Sequence, residues 1–217
     1  MEPLKVTATL AGAVCIPERP IALDALLAYA TCLRDAVAPA FTEADIVPVE
    51  IPVQREPLGR FHLASIATFE VDERQLHYTN RRPPIAELQA LSPSTKRIQI
   101  SAGPNKGYHI PREHLHLAND TMTWWCVGDA ARIRDLLKLI GYLGKRRAVG
   151  LGKVARWDVF PCDVWDGFPV VRDGKVLRNL PENWPGVADP DVSYATLTYP
   201  YWLQTREVLC LVPSQTF

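Results

Sequence analysis

The stretch DAARIRDLLKLIGYLGKRRAVGLGKVARW, residues 129–157, decides the fold prediction. Asp129 is a suitable N-cap for a helix, and Gly141 and Gly144 mark its end. Residues 154–160 then have the pattern of a strand. The helix is predicted to be amphipathic because apolar residues recur on one face at the i, i+3, i+4, i+7 spacing: Ile133, Leu136, Leu137 and Ile140.

A glycine-rich basic loop joins this helix to this strand. Its glycines and cations are Gly144, Lys145, Arg146, Arg147, Gly150, Gly152 and Lys153. Glycine lets a backbone approach a phosphate closely and expose N–H donors, and Lys and Arg displace the counterions of a nucleic acid. The order helix–loop–strand excludes a dinucleotide fingerprint, which follows a strand and opens a helix. A polar connection with solvated cations is the alternative.

Working outward, periodicity and turn residues divide the rest of the chain. They predict a strand at 4–14, a helix at 23–37, a strand at 60–71, a polar excursion at 72–120, a strand at 121–127 and a last strand at 207–212. A connection as long as the excursion is usually functional or contains a hairpin. The segment after residue 160 is rich in Pro, Trp and Tyr.

The order βαββαβ is that of a ferredoxin-like (RRM-like) α+β domain, an antiparallel sheet with two helices on one face. We therefore predict such a domain over residues 1–160, with an insertion at about 72–120. Residues 161–217 are predicted to be a C-terminal extension that packs on it.

Composition narrows the class of protein. The 24 basic residues balance the 24 acidic residues, so a polyanionic partner must be recognised by local clusters of charge. Five cysteines without a CxxC pair indicate free thiols rather than a zinc site or a disulfide framework. No apolar run reaches membrane-spanning length and no signal peptide is seen. We expect a cytoplasmic protein with no membrane contact, no metal and no cofactor.

With these elements in place, the chain resembles the RAMP superfamily of CRISPR RNA-binding proteins. The resemblance rests on the glycine-rich loop, on the opening LKVTATLAGAVCIPERPIALDALLAYA at 4–30, and on YPYW at 199–202. It is most similar to the Csf-type subunit of type IV CRISPR systems, a Cas-five-like protein that caps the 5′ handle of the guide RNA (crRNA).

The resemblance implies a non-catalytic subunit whose basic loop grips the crRNA handle. It also implies that the insertion is thumb-like, with phosphate contacts from Arg81, Arg82, Lys96, Arg97 and Lys106. The implied partners are crRNA and the backbone and large subunits of the effector complex. Target DNA would be met indirectly, near the end that reads the protospacer-adjacent motif.

Two other classes of function stay open. A minority of handle-capping subunits cleave RNA without metal, a reaction that needs a proton carrier, usually His, beside a cation. The candidates are His109, His114 and His116, with a surface or hydrogen-bonding role as the ordinary alternative. A small-molecule enzyme would need a carboxylate near the loop, where only Asp158 and Asp163 are available. Of Trp124 and Trp125, we expect one ring to be buried and the other to lie at a packing surface.

Overall fold

The structure is a computed structural model that describes residues 1–17, 20–38, 42–81, 86, 90 and 108–214. The side chains of residues 79–81, 108 and 109 are not part of this description. Among the described residues, no helix is long and apolar enough to cross a membrane.

A three-stranded antiparallel sheet forms the centre of the molecule. Strand β1 (Glu2–Leu10) lies between β4 (Thr121–Gly128) and β5 (Val154–Pro161). Val6 pairs with Trp124 on one side and with Val159 on the other, and all three are buried. Alternate residues of β1 and β4 enter the core, and the strands predicted at 4–14 and 121–127 are confirmed, although β1 ends earlier than expected, at Leu10.

Two helices contribute to the same hydrophobic core. Helix α1 (Leu23–Arg34) buries Leu23 and Leu27, and α2 (Ala130–Leu137) buries three members of the predicted apolar stripe. The fourth, Ile140, is buried beyond the end of α2, which comes earlier than the predicted end at the glycines. Asp129 caps α2 as predicted, because its side chain accepts a hydrogen bond from the Arg132 N–H at 3.0 Å. The helix predicted for residues 23–37 ends earlier than expected, at Arg34.

The strand predicted for residues 60–71 is wrong as a regular element. In its place there are isolated bridges, including Ala64 to Cys126 and Thr68 to Thr123 on the outer side of β4. Consecutive backbone N–H groups of this segment donate to the carbonyls of different neighbours: Ser65 to Trp125, Ile66 to Leu177 and Ala67 to Ile21. Consecutive residues therefore cannot share one continuous ladder.

The excursion after this segment contains a long hairpin. Strands β2 (Val71–Arg81) and β3 (Tyr108–Leu117) pair antiparallel, with Arg81 opposite Tyr108. Leu115 and Leu117 of β3 are buried while His114 and His116 alternate with them, which is the period-two pattern of a half-buried strand. The predicted irregular structure is thus wrong for these two strands, and the alternative of a hairpin is correct.

The C-terminal part has short antiparallel strands around a second, smaller core. Strands β6 (Val171–Arg172) and β7 (Lys175–Val176) pair with each other, and β10 (Val208–Val212) lies between β8 (Leu180–Pro181) and β9 (Asp191–Ala195). The second core is built by Phe61, Val170, Val171, Val176, Leu180 and Leu211. Few helices and several antiparallel sheets make the molecule α+β, as predicted.

The tryptophan pair follows its prediction, whereas the cysteines, which we expected to be buried free thiols, follow theirs only in part. Trp124 is fully buried and Trp125 packs edge-on against the Trp165 ring, so one ring is in the core and one at a packing surface. All five cysteines are free thiols, but Cys32 and Cys162 are only half-buried.

Candidate nucleic-acid interface

The basic loop, residues 144–153, stands on a short ladder at the end of α2. The Leu143 N–H donates to the Gly152 carbonyl at 2.8 Å, and the Val154 N–H donates to the Gly141 carbonyl at 2.9 Å. Tyr142 and Lys153 are paired between these two bonds. The foot of the loop is therefore fixed by backbone hydrogen bonds on both sides.

The loop is also docked on the chain that follows β1. The Lys145 N–H donates to the Cys15 carbonyl at 2.7 Å, and the Gly152 N–H donates to the Ala13 carbonyl at 2.9 Å. In return, the Ala11 N–H donates to the Lys153 carbonyl at 2.8 Å. This second set of bonds ties the loop to residues 11–15.

Two of the loop glycines are required by close backbone contacts, Gly152 by the ladder at the foot of the loop and Gly144 by the docking. A Cβ on Gly152 would lie 1.9 Å from the Leu143 carbonyl oxygen, and a Cβ on Gly144 would lie 2.4 Å from the Cys15 carbonyl oxygen. The Gly152 N–H is bonded to Ala13, and the Gly150 N–H to the Arg147 carbonyl. We expected the loop glycines to expose N–H donors to phosphate. For Gly150 and Gly152 this expectation is wrong, because their N–H groups donate to carbonyls within the protein.

The cations of the loop face outward. Lys145, Arg147 and Lys153 are exposed, and in the part of the chain that the structure describes they form no ion pair with a carboxylate. Arg146 is half-buried and has a left-handed backbone, with φ at 64°. The tip of the loop is a single 3₁₀ turn over Arg147–Val149.

A histidine-bearing face of the hairpin lies close to this loop. His114 and His116 are on the same face of β3, as their spacing predicted, and the imidazole of His77 on β2 stacks on that of His114 at 4.1 Å between centroids. The segment between β1 and α1 links hairpin and loop, because Val14 bridges to Leu115 and its neighbour Cys15 bridges to Lys145.

The environment of His114 lowers its pKa. Partial burial is the main cause, and the charges of His77, Arg146 and His116 act in the same direction. Its Nε2 atom is shielded from solvent and has no hydrogen-bond partner among the described residues. At neutral pH we therefore expect this imidazole to be neutral, beside the positive charge of Arg146.

A comparison with protein families assigns the chain. The family described as CRISPR type IV associated protein Csf3 matches residues 50–213, well over half of the sequence. The chain belongs to this family. A comparison with curated proteins finds no match. The resemblance to a Csf-type subunit of a type IV CRISPR system is thereby confirmed.

The matched region of this type IV CRISPR-associated protein includes both the basic loop and the hairpin. The remaining predicted RNA contacts cannot be placed with them. Arg81 ends β2, but its side chain lies outside the described residues, as does that of His109. Arg82, Lys96, Arg97 and Lys106 lie outside them entirely.

Sequence reasoning missed a buried cluster formed by Asp24, Arg178 and Tyr201. Asp24 and Arg178 are at most 1% exposed, and the Tyr201 hydroxyl lies 2.8 and 2.9 Å from the two carboxylate oxygens of Asp24. Arg178 Nη2 is 3.6 Å from Asp24 Oδ2. Arg178 also donates to the carbonyls of His62, Ala64 and Leu197.

The buried cluster is a structural element of this family member. It connects α1 to the C-terminal part, and its charges are compensated by one another and by backbone carbonyls. A signal was present in the sequence, since Asp24 interrupts the apolar pattern of the predicted helix. Its partners could not be identified, because they lie more than 150 residues away.

Proposed function

We propose that this type IV CRISPR-associated protein is a non-catalytic crRNA-binding subunit whose basic loop grips the 5′ handle. The observation that carries the proposal is the exposure of Lys145, Arg147 and Lys153 on a loop with a fixed backbone. Because its backbone is already fixed, the loop loses little backbone freedom when its cations bind phosphate, and each contact releases counterions from the RNA.

The strand order supports the finer fold proposal, a ferredoxin-like RAMP domain. β5, β1 and β4 are neighbours, and residues 64–68 bridge to the outer side of β4. With α1 after β1 and α2 between β4 and β5, this is the order of a split βαβ arrangement. The proposal treats the hairpin as the thumb-like insertion and residues 161–217 as the extension.

The proposed protein partners are the backbone and large subunits of the effector complex, with target DNA reached through them. Support comes from exposed apolar side chains on the C-terminal sheet: Tyr194 is 69% exposed and Val192 is 49% exposed. Family membership adds the association with type IV CRISPR.

The test is a salt titration of RNA binding. Wild type is compared with a Lys145→Gln, Arg147→Gln, Lys153→Gln triple variant, using labelled single-stranded repeat RNA. Arg146 is left in place because it is half-buried and its charge lies near His114, so its replacement would change more than an exposed cation. We expect the log–log salt slope to fall in magnitude by about 2, since each phosphate contact contributes about 0.7.

The matched control removes three exposed cations elsewhere, by Arg34→Gln, Lys175→Gln and Arg206→Gln. It keeps the same change of net charge but leaves the loop intact, so its slope should remain close to that of wild type. An equal decrease of the salt slope in both triple variants would show that the effect comes from net charge and not from the loop. Absence of RNA binding by wild type, with the partner subunits present, would overturn the proposal.

A second candidate function, metal-independent RNA cleavage, is favoured by the grouping of His77, His114 and Arg146. In that reaction a neutral imidazole takes the 2′-OH proton, the 2′ oxygen attacks phosphorus, and the 5′ oxygen leaves with a proton from an acid. Arg146 would stabilise the charge on the phosphorane. Hence His114 would be the base and His77 the acid, with His109 and His116 as the other candidates.

Cleavage is tested with the same RNA in EDTA, by looking for a 2′,3′-cyclic phosphate end. The non-catalytic proposal expects intact RNA from wild type. If RNA is cut by wild type but not by His114→Gln, the enzyme becomes the first hypothesis. His62→Gln is the matched control, because His62 is buried beside Asp24 and does not lie on the histidine-bearing face of the hairpin.

A further inference from the structure

A charged cleft lies at the foot of the basic loop, where the end of α2 meets β5. We call it the foot cleft; its volume is about 280 Å³. The residues that matter for the argument are Arg134, Lys138, Gly141, Ala155, Arg156 and Trp157. Three of these six are cations, and two are small enough to leave the floor open.

The cations of the foot cleft are held in two different ways. Arg134 is positioned by the protein itself, since its Nη2 donates to the Val159 carbonyl at 2.6 Å. Lys138 and Arg156 form ion pairs at 2.7 Å with Asp135 and Asp158. The side chains of Lys138 and Arg156 are 73% and 71% exposed. The Lys138–Asp135 pair is exposed on both sides and contributes little to stability, so Lys138 can exchange its carboxylate for a phosphate. In the other pair Arg156 is exposed while Asp158 is only 21% exposed, so this arginine can contact a phosphate while it keeps its carboxylate.

The floor of the foot cleft offers space and a fixed aromatic ring. The Trp157 indole N–H donates to the Ile140 carbonyl at 2.9 Å, and the ring packs against Trp124 at 5.6 Å between centroids. Trp157 as a residue is half-buried and lines the cleft. A Cβ added to Gly141 would meet no atom within 4 Å, which means that the space above Gly141 is open.

The foot cleft continues the surface of the basic loop. Gly141 and Val154, which line the cleft, form the lowest pair of the ladder under the loop. Tyr142, which is 38% exposed, pairs with Lys153 one step above them. The cleft is therefore one residue pair of this ladder away from Lys153, so a nucleic acid strand that contacts this loop cation can also reach the cleft.

We propose that the foot cleft binds one nucleotide of the single-stranded RNA that the basic loop contacts. The base lies on the floor against Trp157, and the flanking phosphates contact Arg134, Lys138 and Arg156. A cleft with an aromatic floor and a cationic rim is how proteins bind single strands without strict sequence preference. This inference rests on the proposed RNA-binding function, and it adds a second contact to it.

Two variants test the shape of the foot cleft and its charge separately. Gly141→Leu fills the cleft and leaves all cations in place, and its backbone does not have a left-handed φ. We expect it to weaken binding of labelled repeat RNA and of oligouridine about tenfold or more, which is the usual loss for one stacked base. The salt slope should not change. Ala188→Leu adds the same side chain at an exposed site in the C-terminal part and should bind like wild type.

The second variant, Lys138→Gln with Arg156→Gln, keeps the cleft open and removes two cations. It should reduce the magnitude of the salt slope by about 1.4. Photocrosslinking of 4-thiouridine RNA to the peptide that contains Trp157 gives an independent readout. This variant also keeps the inference testable if Gly141→Leu does not fold.

The inference is overturned if both cleft variants bind like wild type and no crosslink forms at Trp157. In that case the triple variant of the loop cations should still have a smaller salt slope than wild type, and the proposed function stands. If wild type itself binds no RNA, the proposed function and the inference are rejected together.

Discussion

The basic loop and the buried cluster place their cations in opposite environments. Arg178 in the buried cluster is 1% exposed and is surrounded by a carboxylate, a hydroxyl and backbone carbonyls. Lys145 and Arg147 in the basic loop are exposed, while the backbone beneath them is fixed by hydrogen bonds. The comparison indicates that the buried cluster determines stability, whereas the loop cations are available to a ligand.

The largest expected effect comes from removing the carboxylate of the buried cluster. Asp24→Ala leaves Arg178 charged, buried and without its acidic partner. We expect the free energy of unfolding to fall by about 3–5 kcal/mol, the usual cost of breaking a buried pair from one side. Urea denaturation measures it, and Asp35→Ala in the exposed Arg34–Asp35 pair is the control, with an expected loss below about 1 kcal/mol. Similar losses in the two variants would contradict the comparison.

The pH dependence of stability should reveal the neighbour of the buried cluster, His62. Burial lowers the pKa of His62 to about 4, because it disfavours the imidazolium, although Asp24 acts in the opposite direction. The unfolded chain binds this proton below about pH 6.5 and the folded protein does not, so stability is lost as pH falls from 6.5 to 4. The loss is about 3 kcal/mol by proton linkage.

This titration is isolated by comparing wild type with His62→Gln in urea denaturation at several pH values. Other groups, such as Glu56, also change charge in acid, but they do so in both proteins. The difference in unfolding free energy between the two proteins should therefore change across this window. A constant difference from pH 7 to pH 4 would show that His62 does not titrate as described.

Two glycines sharpen the comparison within the basic loop. Gly152→Ala combines a left-handed backbone, φ 67°, with a Cβ 1.9 Å from a carbonyl oxygen, and we expect a loss of about 3 kcal/mol. Gly150→Ala has φ at 89° but open space around its Cβ, so we expect about 1 kcal/mol. Thermal or urea unfolding measures both. A larger loss at Gly150 than at Gly152 would refute the close approach of Gly152 to the Leu143 carbonyl.

The smallest effect is expected for the loop cations themselves. The Lys145→Gln, Arg147→Gln, Lys153→Gln variant should change the unfolding free energy by no more than about 0.5 kcal/mol, since exposed substitutions without partners rarely do more. Circular dichroism during urea denaturation checks it. A loss of several kcal/mol would mean that these side chains hold the fold together, and the loss of RNA binding could not then be assigned to phosphate contacts.

The parts of the fold that were predicted correctly are those with local signals. The Asp129 cap, the stripe of α2 and the strand β4 depend on residues a few positions apart. Residues 60–71 failed because their backbone bonds go to Ile21, Trp125 and Leu177, which no local pattern encodes. The hairpin was predicted only as an alternative, because no local pattern encodes the pairing of its two strands.

The candidate site shows the same division. The order of glycines and cations in residues 144–153 indicated an exposed basic loop, and its cations are exposed at Lys145, Arg147 and Lys153. The role of Gly152 could not be predicted, because it depends on the distance to the Leu143 carbonyl. The stack of His77 on His114 depends on the register of two strands about 30 residues apart.

The hydrogen bond between Tyr201 and Asp24 joins residues 177 positions apart. Such a contact closes a very long loop, and in folding it comes late, after local helices and hairpins have formed. During synthesis, helix α1 leaves the ribosome long before Tyr201 does. Until then the Asp24 carboxylate cannot contact Tyr201. The N-terminal half is therefore least protected against aggregation and proteolysis while the chain is still growing.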